Sequence, residues 1–382
     1  MDKIKVLIAD SSPVYKKMFQ SAIEEVDSHT SVICADDGNE AAEIIVRKRP
    51  EIVIVDADIK ITGLLELIAL VIRESPKTFV LVTARPSSRS AKVFMEALSA
   101  GATDSMTKPI YDSYSENSKT VRDKMADIIG IIRTGNTYQK QTNGLVKESV
   151  DGLEKGKKSK ASSGGAGAKG SHAGTKSAHA SAKHKKASHS KEFRPQLILI
   201  AVSTGGPRAL EAILPEVNPD IPVPILIVQH MPPHFIGTLV ERLDLKATIN
   251  VKVAEDGEKI KGKTVYFAPG GVHMRLNSDN EVYLDDSPPL NGVRPAADAL
   301  FESVAEDFAG MHVLTIVLTG MGHDSLRGLM ALKEKKRCFA IAQSEKSCVV
   351  YGMPRAVVEN GLVDKILDLD KIAEEINGFH YI

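Results

Sequence analysis

The stretch LILIAVSTGGPRAL, residues 197–210, decides the fold of the second half of the chain: six apolar residues run into a serine and two glycines, and a helical pattern follows. An apolar run without alternation suits a strand covered on both faces, as in a parallel α/β sheet. Two further runs have the same form. ILIVQ leads into His230, and VLTIVLTGMGH leads into Asp324. As parallel strands of one sheet, the three would place their carboxyl ends along a single edge, where open α/β folds bind ligands. A hydroxyl, an imidazole and a carboxylate would then converge there.

The chain divides into three parts. From Lys5 onward, the runs KVLIAD, SVICA, IVIVD, TFVLVT and ATDSMT alternate with segments of helical period such as EAAEIIVRK and AKVFMEALSA. That rhythm predicts a five-stranded, doubly wound parallel sheet over residues 1–135. Residues 136–193 turn to Lys, Ser, Ala, Gly and His, and such a segment buries too little surface to offset its ordering entropy. It reads as a disordered linker. Residues 194–382 resume the βα rhythm as a second doubly wound, mostly parallel sheet. Four short runs between 246 and 290 (INVKV, TVYFAP, VHMRL and EVYL) read as an antiparallel hairpin region attached to it.

Composition sets the outer bounds. The 382 residues are 43% hydrophobic, enough for two domains with real cores, and the formal net charge is zero. That zero hides an asymmetry: residues 155–191 hold ten Lys and no Asp or Glu, so the flanking parts are together acidic. With no Arg between 155 and 191 and no aromatic to stack a base, this run reads as a solvated spacer and not as a nucleic-acid or lipid site. The three cysteines are odd in number and lack metal-ligand spacing, which fits a reducing compartment. No apolar stretch approaches the roughly 18 residues that span a bilayer. A cytoplasmic protein without membrane insertion is expected.

The chemistry of the second half follows from its strand ends. In STGGP, Gly205 and Gly206 let the chain bend sharply after Ser203, and Pro207 suits a first helical turn. Free N–H groups at such a helix start would face a developing oxyanion. A serine hydroxyl is a poor nucleophile until a base accepts its proton, and imidazole suits that task near neutral pH. His230 would be that base. Asp324 could accept the imidazole N–H and fix its tautomer, or cap the helix that follows it, or both.

In the first half, Asp10, Asp56, Thr83 and Lys108 each end or follow a strand, so four polar groups should meet at one sheet edge. A carboxylate there can attack a phosphoryl donor when a neighbouring acid holds Mg²⁺. This set resembles a response-regulator receiver domain. The resemblance implies Asp56 as phosphoacceptor, Asp10 and Asp56 as weak Mg²⁺ ligands, and Thr83 and Lys108 as switch hydroxyl and charge partner. Family members usually carry two adjacent acids where this chain has Asp10-Ser11. The loop DADIKITG is one residue shorter than the family's and lacks its Pro, and Ser105 stands where an aromatic switch residue is common.

STGGP, VQHMPP and LTGMGHD together resemble the chemotaxis protein-glutamate methylesterase family, supported by ERLD (241–244), FAPGGVHM (267–274), RPAADALF (294–301) and YGMPRAVVENGLVD (351–364). In that family a receiver precedes the esterase on one chain, as here. The resemblance implies Ser203 as nucleophile, His230 as base, Asp324 as orienter, and the N–H groups of Thr204 or Met321 as oxyanion donors within a loop shaped by Gly205 and Gly206. It implies hydrolysis of glutamate methyl esters on the cytoplasmic helices of chemoreceptors, with possible deamidation of receptor glutamines and no cofactor for the ester step. A histidine kinase would be the phosphodonor. The alternative is a catalytically silent, receptor-binding adaptor with a degenerate receiver. Ala201 stands where Gly is typical, and Ser325 replaces a Gly, losing unstrained access to positive φ. A flexible tether of nearly sixty residues spans roughly 40 to 45 Å, so autoinhibition by the receiver is expected to be leaky.

Overall fold

The computed structural model of the protein describes residues 3–110, 113–133, 193–307, 310–335 and 337–381. The linker expected at 136–193 lies, apart from Phe193, outside the described residues. Ahead of it stand β1 (Ile4–Ala9), α1 (Pro13–Val26), β2 (Thr30–Ala35), α2 (Gly38–Lys48), β3 (Ile52–Asp56), α3 (Leu64–Glu74), β4 (Phe79–Ala84), α4 (Ser88–Ala100), β5 (Asp104–Thr107) and α5 (Tyr114–Arg133). The strands pair in the order β2-β1-β3-β4-β5, all parallel, as the alternating runs predict. Both faces of this sheet are covered, which is why its strands read as continuous apolar runs. Val6, Ile8, Ile52, Ile54 and Leu81 meet Phe19 of α1 and Met125 of α5 on one face. Leu7, Val53, Val55, Val80 and Val82 meet α2, α3 and α4 on the other.

The second half contains β6 (Leu197–Val202), α6 (Gly206–Ile213), β7 (Ile225–Gln229), α7 (Pro233–Lys246), β8 (Asn250–Val253), β9 (Thr264–Phe267), β10 (His273–Leu276), β11 (Val282–Asp285) and α8 (Ala297–Asp307). It continues with β12 (Val313–Val317), α9 (Leu326–Glu334), β13 (Cys338–Gln343), α10 (Gly352–Glu359), β14 (Lys365–Leu367) and α11 (Leu369–Asn377). Seven strands form one parallel sheet in the order β14-β13-β12-β6-β7-β9-β8. The three strands that lead to Ser203, His230 and Asp324 are therefore neighbours at its centre.

The hairpin region is smaller than the sequence suggests. Among the described residues β10 and β11 are the one pair of strands that runs antiparallel, with isolated antiparallel bridges at Lys259–Glu281 and Leu290–Val293, while β8 and β9 extend the main sheet in parallel. A parallel pair needs a crossover, and the chain between Val253 and Thr264 supplies one. Short runs of this kind carry no periodicity that distinguishes the two pairings.

The two sheets belong to one compact unit. Phe94 of α4 stacks on Phe235 of α7 with ring centroids 5.0 Å apart, and both are buried. Val350 of the second half joins the first-half core cluster that contains Met106, and Met321 and Val349 pack against that shared cluster. Phe94→Ala should cost about 3 kcal/mol or more of stability, the range for truncating a buried aromatic. Urea unfolding of the full chain measures it; a loss below about 1 kcal/mol would contradict the observed burial.

Candidate active site

Backbone register places the serine beside the histidine. Val202 pairs with Gln229 at the last rung of β6 and β7, and the His230 N–H donates to the Val202 carbonyl at 3.1 Å. On the other side the Ser203 N–H donates to the Thr319 carbonyl at 3.0 Å, which fixes the serine against the end of β12. The Gln229 amide donates to the carbonyls of Ser203 (3.1 Å) and His230 (3.2 Å), tying the two turns together.

The glycines of STGGP are required by shape. Gly205 has φ +80°, and a Cβ there would lie 2.5 Å from the Val349 Cβ. A Cβ on Gly206 would lie 2.0 Å from the Gln229 Oε1. The Gly206 N–H donates to the Ser203 carbonyl at 2.7 Å, closing the turn. Gly206 is thereby committed to the turn and is not an oxyanion donor. Among the described residues, the Thr204 and Met321 N–H groups donate to no protein acceptor, so both remain available.

The firmest contact is between imidazole and carboxylate. His230 Nε2 lies 2.7 Å from Asp324 Oδ2, with the Asp324 side chain 2% exposed. Asp324 Oδ2 also accepts the Ala297 N–H at 2.5 Å, and Oδ1 accepts the Asp298 N–H and the Asn291 amide, each at 3.1 Å. Asp324 therefore caps α8 and not its own helix α9, contrary to the sequence-based alternative. Burial alone would raise its pKa, but the hydrogen bond and charge of His230, with the N–H groups of Ala297 and Asp298, outweigh burial and hold the carboxyl below its ordinary 3.8. With Nε2 engaged by Asp324, Nδ1 is the ring nitrogen left for serine. Ser203 and His230 share no direct hydrogen bond among the described residues; such bonds commonly tighten only when substrate binds.

Ser203, Thr204, His230, Met231, Asn291, Arg294, Met321 and Asp324 line a cleft of about 760 Å³, and the receiver supplies its other wall. The Thr204 hydroxyl donates to Asp104 Oδ2 at 2.7 Å, and Lys124 holds the same oxygen at 2.6 Å. Sequence reasoning did not single out Asn291, Asp298, Asp104 or Gln229. Asp104 lies within ATDSMT, Gln229 within ILIVQ and VQHMPP, and Asp298 within RPAADALF, while Asn291 lies in none of the quoted stretches.

The expected strain at Ser325 is present. Its φ is +88°, it is fully buried, and its hydroxyl has no partner. In the receiver, Ile61 of the shortened loop also adopts positive φ, +73°, while 70% exposed.

At the carboxyl edge of the first sheet, Asp10, Asp56 and Lys108 come together. Lys108 Nζ lies 2.5 Å from Asp10 Oδ2 and 2.7 Å from Asp56 Oδ2, in a buried cluster beneath which the Tyr15 ring sits 4.6 Å from the ammonium. Burial lifts the Asp10 pKa above 3.8 and the Asp56 charge adds to this, while Lys108 and the Ser12 N–H pull the other way. Thr83 is fully buried beside Asp56 in register, its hydroxyl 3.5 Å from the Val55 carbonyl. Ser11 contributes no carboxylate, and among the described residues no three acids or imidazoles gather as a metal-ligand group. Asp10 and Asp56 are the carboxylates that would hold a magnesium ion here.

A receiver-type sheet joined to an α/β domain with Ser, His and Asp at its central strand ends defines a response regulator with an enzyme-type output domain. Comparison with known proteins agrees. Residues 6–114 match the response regulator receiver domain family, and residues 198–376 match the CheB methylesterase family. The protein-glutamate methylesterase/protein-glutamine glutaminase 1 of Syntrophomonas wolfei is 34% identical, covering 98% of this chain and 99% of its own. The protein-glutamate methylesterase/protein-glutamine glutaminase of Geobacillus kaustophilus is 35% identical, covering 98% of each. The crystal structure of the Thermotoga maritima CheB methylesterase catalytic domain is 40% identical over 48% of this chain and 97% of that one, with a TM-score of 0.46. The chain belongs to the protein-glutamate methylesterase/protein-glutamine glutaminase family.

Replacing the strained serine tests the local geometry. Ser325→Gly removes a positive-φ penalty of about 1–3 kcal/mol and an unpartnered hydroxyl, against an entropic cost of about 0.5–1 kcal/mol. Thermal unfolding should show a net gain of about 1 kcal/mol. An unchanged or lowered midpoint would contradict the strain.

Proposed function

We infer that the protein is a serine hydrolase that removes methyl esters from glutamate side chains of chemoreceptors and deamidates their glutamines, under control of its receiver. The observation that carries this reading is the buried 2.7 Å bond between His230 and Asp324 beside Ser203. Ser203 Oγ attacks the ester carbonyl while His230 takes its proton. Asp324 stabilises the imidazolium, and the N–H groups of Thr204 and Met321 receive the oxyanion. The C–O bond to methoxide breaks, and methanol leaves with the proton from His230. Water then attacks the acyl-serine by the same route, giving a glutamate carboxylate and free Ser203. Each turnover adds one negative charge to a receptor helix. The same steps on a glutamine amide would release ammonia. Relatives named for this catalysis align over nearly the whole chain, which favours an enzyme over a silent adaptor.

The receiver is the brake in this reading. Asp104 accepts a hydrogen bond from the Thr204 hydroxyl, and Met321 packs against the core cluster that Val350 shares with the receiver and lines the same cleft as Met106, so the receiver borders both oxyanion loops. Phosphorylation of Asp56 by a histidine kinase would bias this packing. Asp10 and Asp56 would hold a magnesium ion, which would supply positive charge to the transferring phosphoryl group, and Lys108 would pair with the phosphoryl group afterwards. With only two carboxylates the site would hold magnesium weakly and phosphorylation would be slow. The ester step draws on no metal ligand. No helix of the described residues is long and apolar enough to cross a membrane, and a cytoplasmic site of action fits receptors whose modified helices face that side.

Methanol release from methylated receptor membranes tests both parts. Wild type should release it, and Ser203→Ala should lose at least about a thousandfold, as for removal of a catalytic nucleophile. Asp104→Ala and the fragment 194–382 should both exceed the full chain by a few-fold only, as a leaky brake requires. Equal rates would contradict inhibitory docking. A very large excess would contradict leakiness.

A further inference from the structure

Asp298 lies one residue inside α8, fully buried, and the ester-hydrolysis scheme gives it no role. Its Oδ1 accepts the N–H of Gly328 in the first turn of α9 at 2.8 Å. Asp324, just before α9, accepts in return the N–H groups of Ala297 and Asp298 at the start of α8. Two helices thus exchange carboxylates at their amino ends, where the peptide dipoles favour negative charge. The close approach is fixed by Gly328, where a Cβ would lie 2.4 Å from that of Phe301.

Such an exchange brings two buried carboxylates together, and burial, followed by the charge of Asp324 among other influences, raises the Asp298 pKa. The Asn291 amide lies between them. Its Nδ2 is 2.8 Å from Asp298 Oδ2 and 3.1 Å from Asp324 Oδ1, so its two hydrogens can serve one carboxylate each. Asn291 has φ +53° and stands on the wall of the cleft, next to Gly292 with φ +77°. Asn tolerates that backbone conformation better than most residues do.

We propose that Asn291 and Asp298 are positioning residues for the hydrolysis: Asn291 bridges the two carboxylates and thereby holds Asp324 in the orientation that engages His230. The pair acts through Asp324 and touches no reacting atom. An enzyme that depends on a carboxylate of fixed direction loses rate when its support is removed, even with substrate binding intact.

The proposal rests on the esterase reading, and its test separates the two. Asn291→Gly deletes the amide while keeping a residue suited to positive φ. Asn291→Asp keeps the shape but turns the donor into a third carboxylate. In the full chain at mildly alkaline pH, Asn291→Gly should lower kcat for methanol release by about tenfold or more with KM within about twofold, and its melting temperature should stay close to wild type. Asn291→Asp should be slower still. A role in shape alone predicts the reverse order, with the isosteric Asp retaining activity, and that order overturns the proposal. So does wild-type kcat in both variants. If wild type releases no methanol, the esterase reading fails. The rate at which a fluorophosphonate labels Ser203 in wild type and both variants then decides the proposal: the same order upholds it, and equal or absent labelling overturns it.

Discussion

The buried carboxylate of Asp324 is the contact on which the arrangement depends. It draws one imidazole, two backbone N–H groups at the start of α8 and one side-chain amide onto two oxygens. An ionised carboxylate this deep is stable only when its lone pairs are filled by donors. The filling has a direction. Because Oδ2 faces both His230 and Ala297, the imidazole is referenced to the end of a helix and not to a mobile loop. Removing any one donor leaves the charge in place with less to hold it.

The parallel sheet explains why these groups meet at all. β12, β6 and β7 are adjacent, so chain segments about thirty and ninety residues apart end at one edge. The same geometry is repeated in the receiver, where β1, β3 and β5 deliver Asp10, Asp56 and Lys108 to a common pocket. The receiver closes the catalytic cleft with its β5 and α5 while its α4 is anchored on α7 through Phe94 and Phe235. A change in the receiver sheet can thus reach Thr204 through the one hydrogen bond that its hydroxyl donates to Asp104.

What could be read from sequence was what strands impose. Uninterrupted apolar runs fixed the two parallel sheets, and the residues at their ends named Ser203, His230, Asp324 and the receiver acids. Ser325 was legible because a serine replacing glycine before a helix points to positive φ, and φ is +88° there. Contacts between separate elements were not legible. Of the two roles open to Asp324 in the sequence, the bond to His230 is present, but capping of its own helix, a local habit, is not: it caps α8, which is distant in sequence. Asn291 and Asp298 gave no signal of joint action, being seven residues apart with different chemistry. β8 and β9 were misjudged because four-residue strands carry too little pattern to fix direction. Phe94 lies in a segment of helical period, Phe235 in a separate helix, and nothing in either helix names the other.

Nitrogen-15 magnetic resonance of the imidazole reports the orientation of the His230 ring against Asp324. With Asp324 accepting from Nε2, the neutral ring should carry its proton on Nε2, bonded to the carboxylate, and leave Nδ1 bare toward the serine. The Nε2–H signal should move when Asp324 is replaced by Asn. A neutral ring protonated on Nδ1, unaffected by that replacement, would contradict the account.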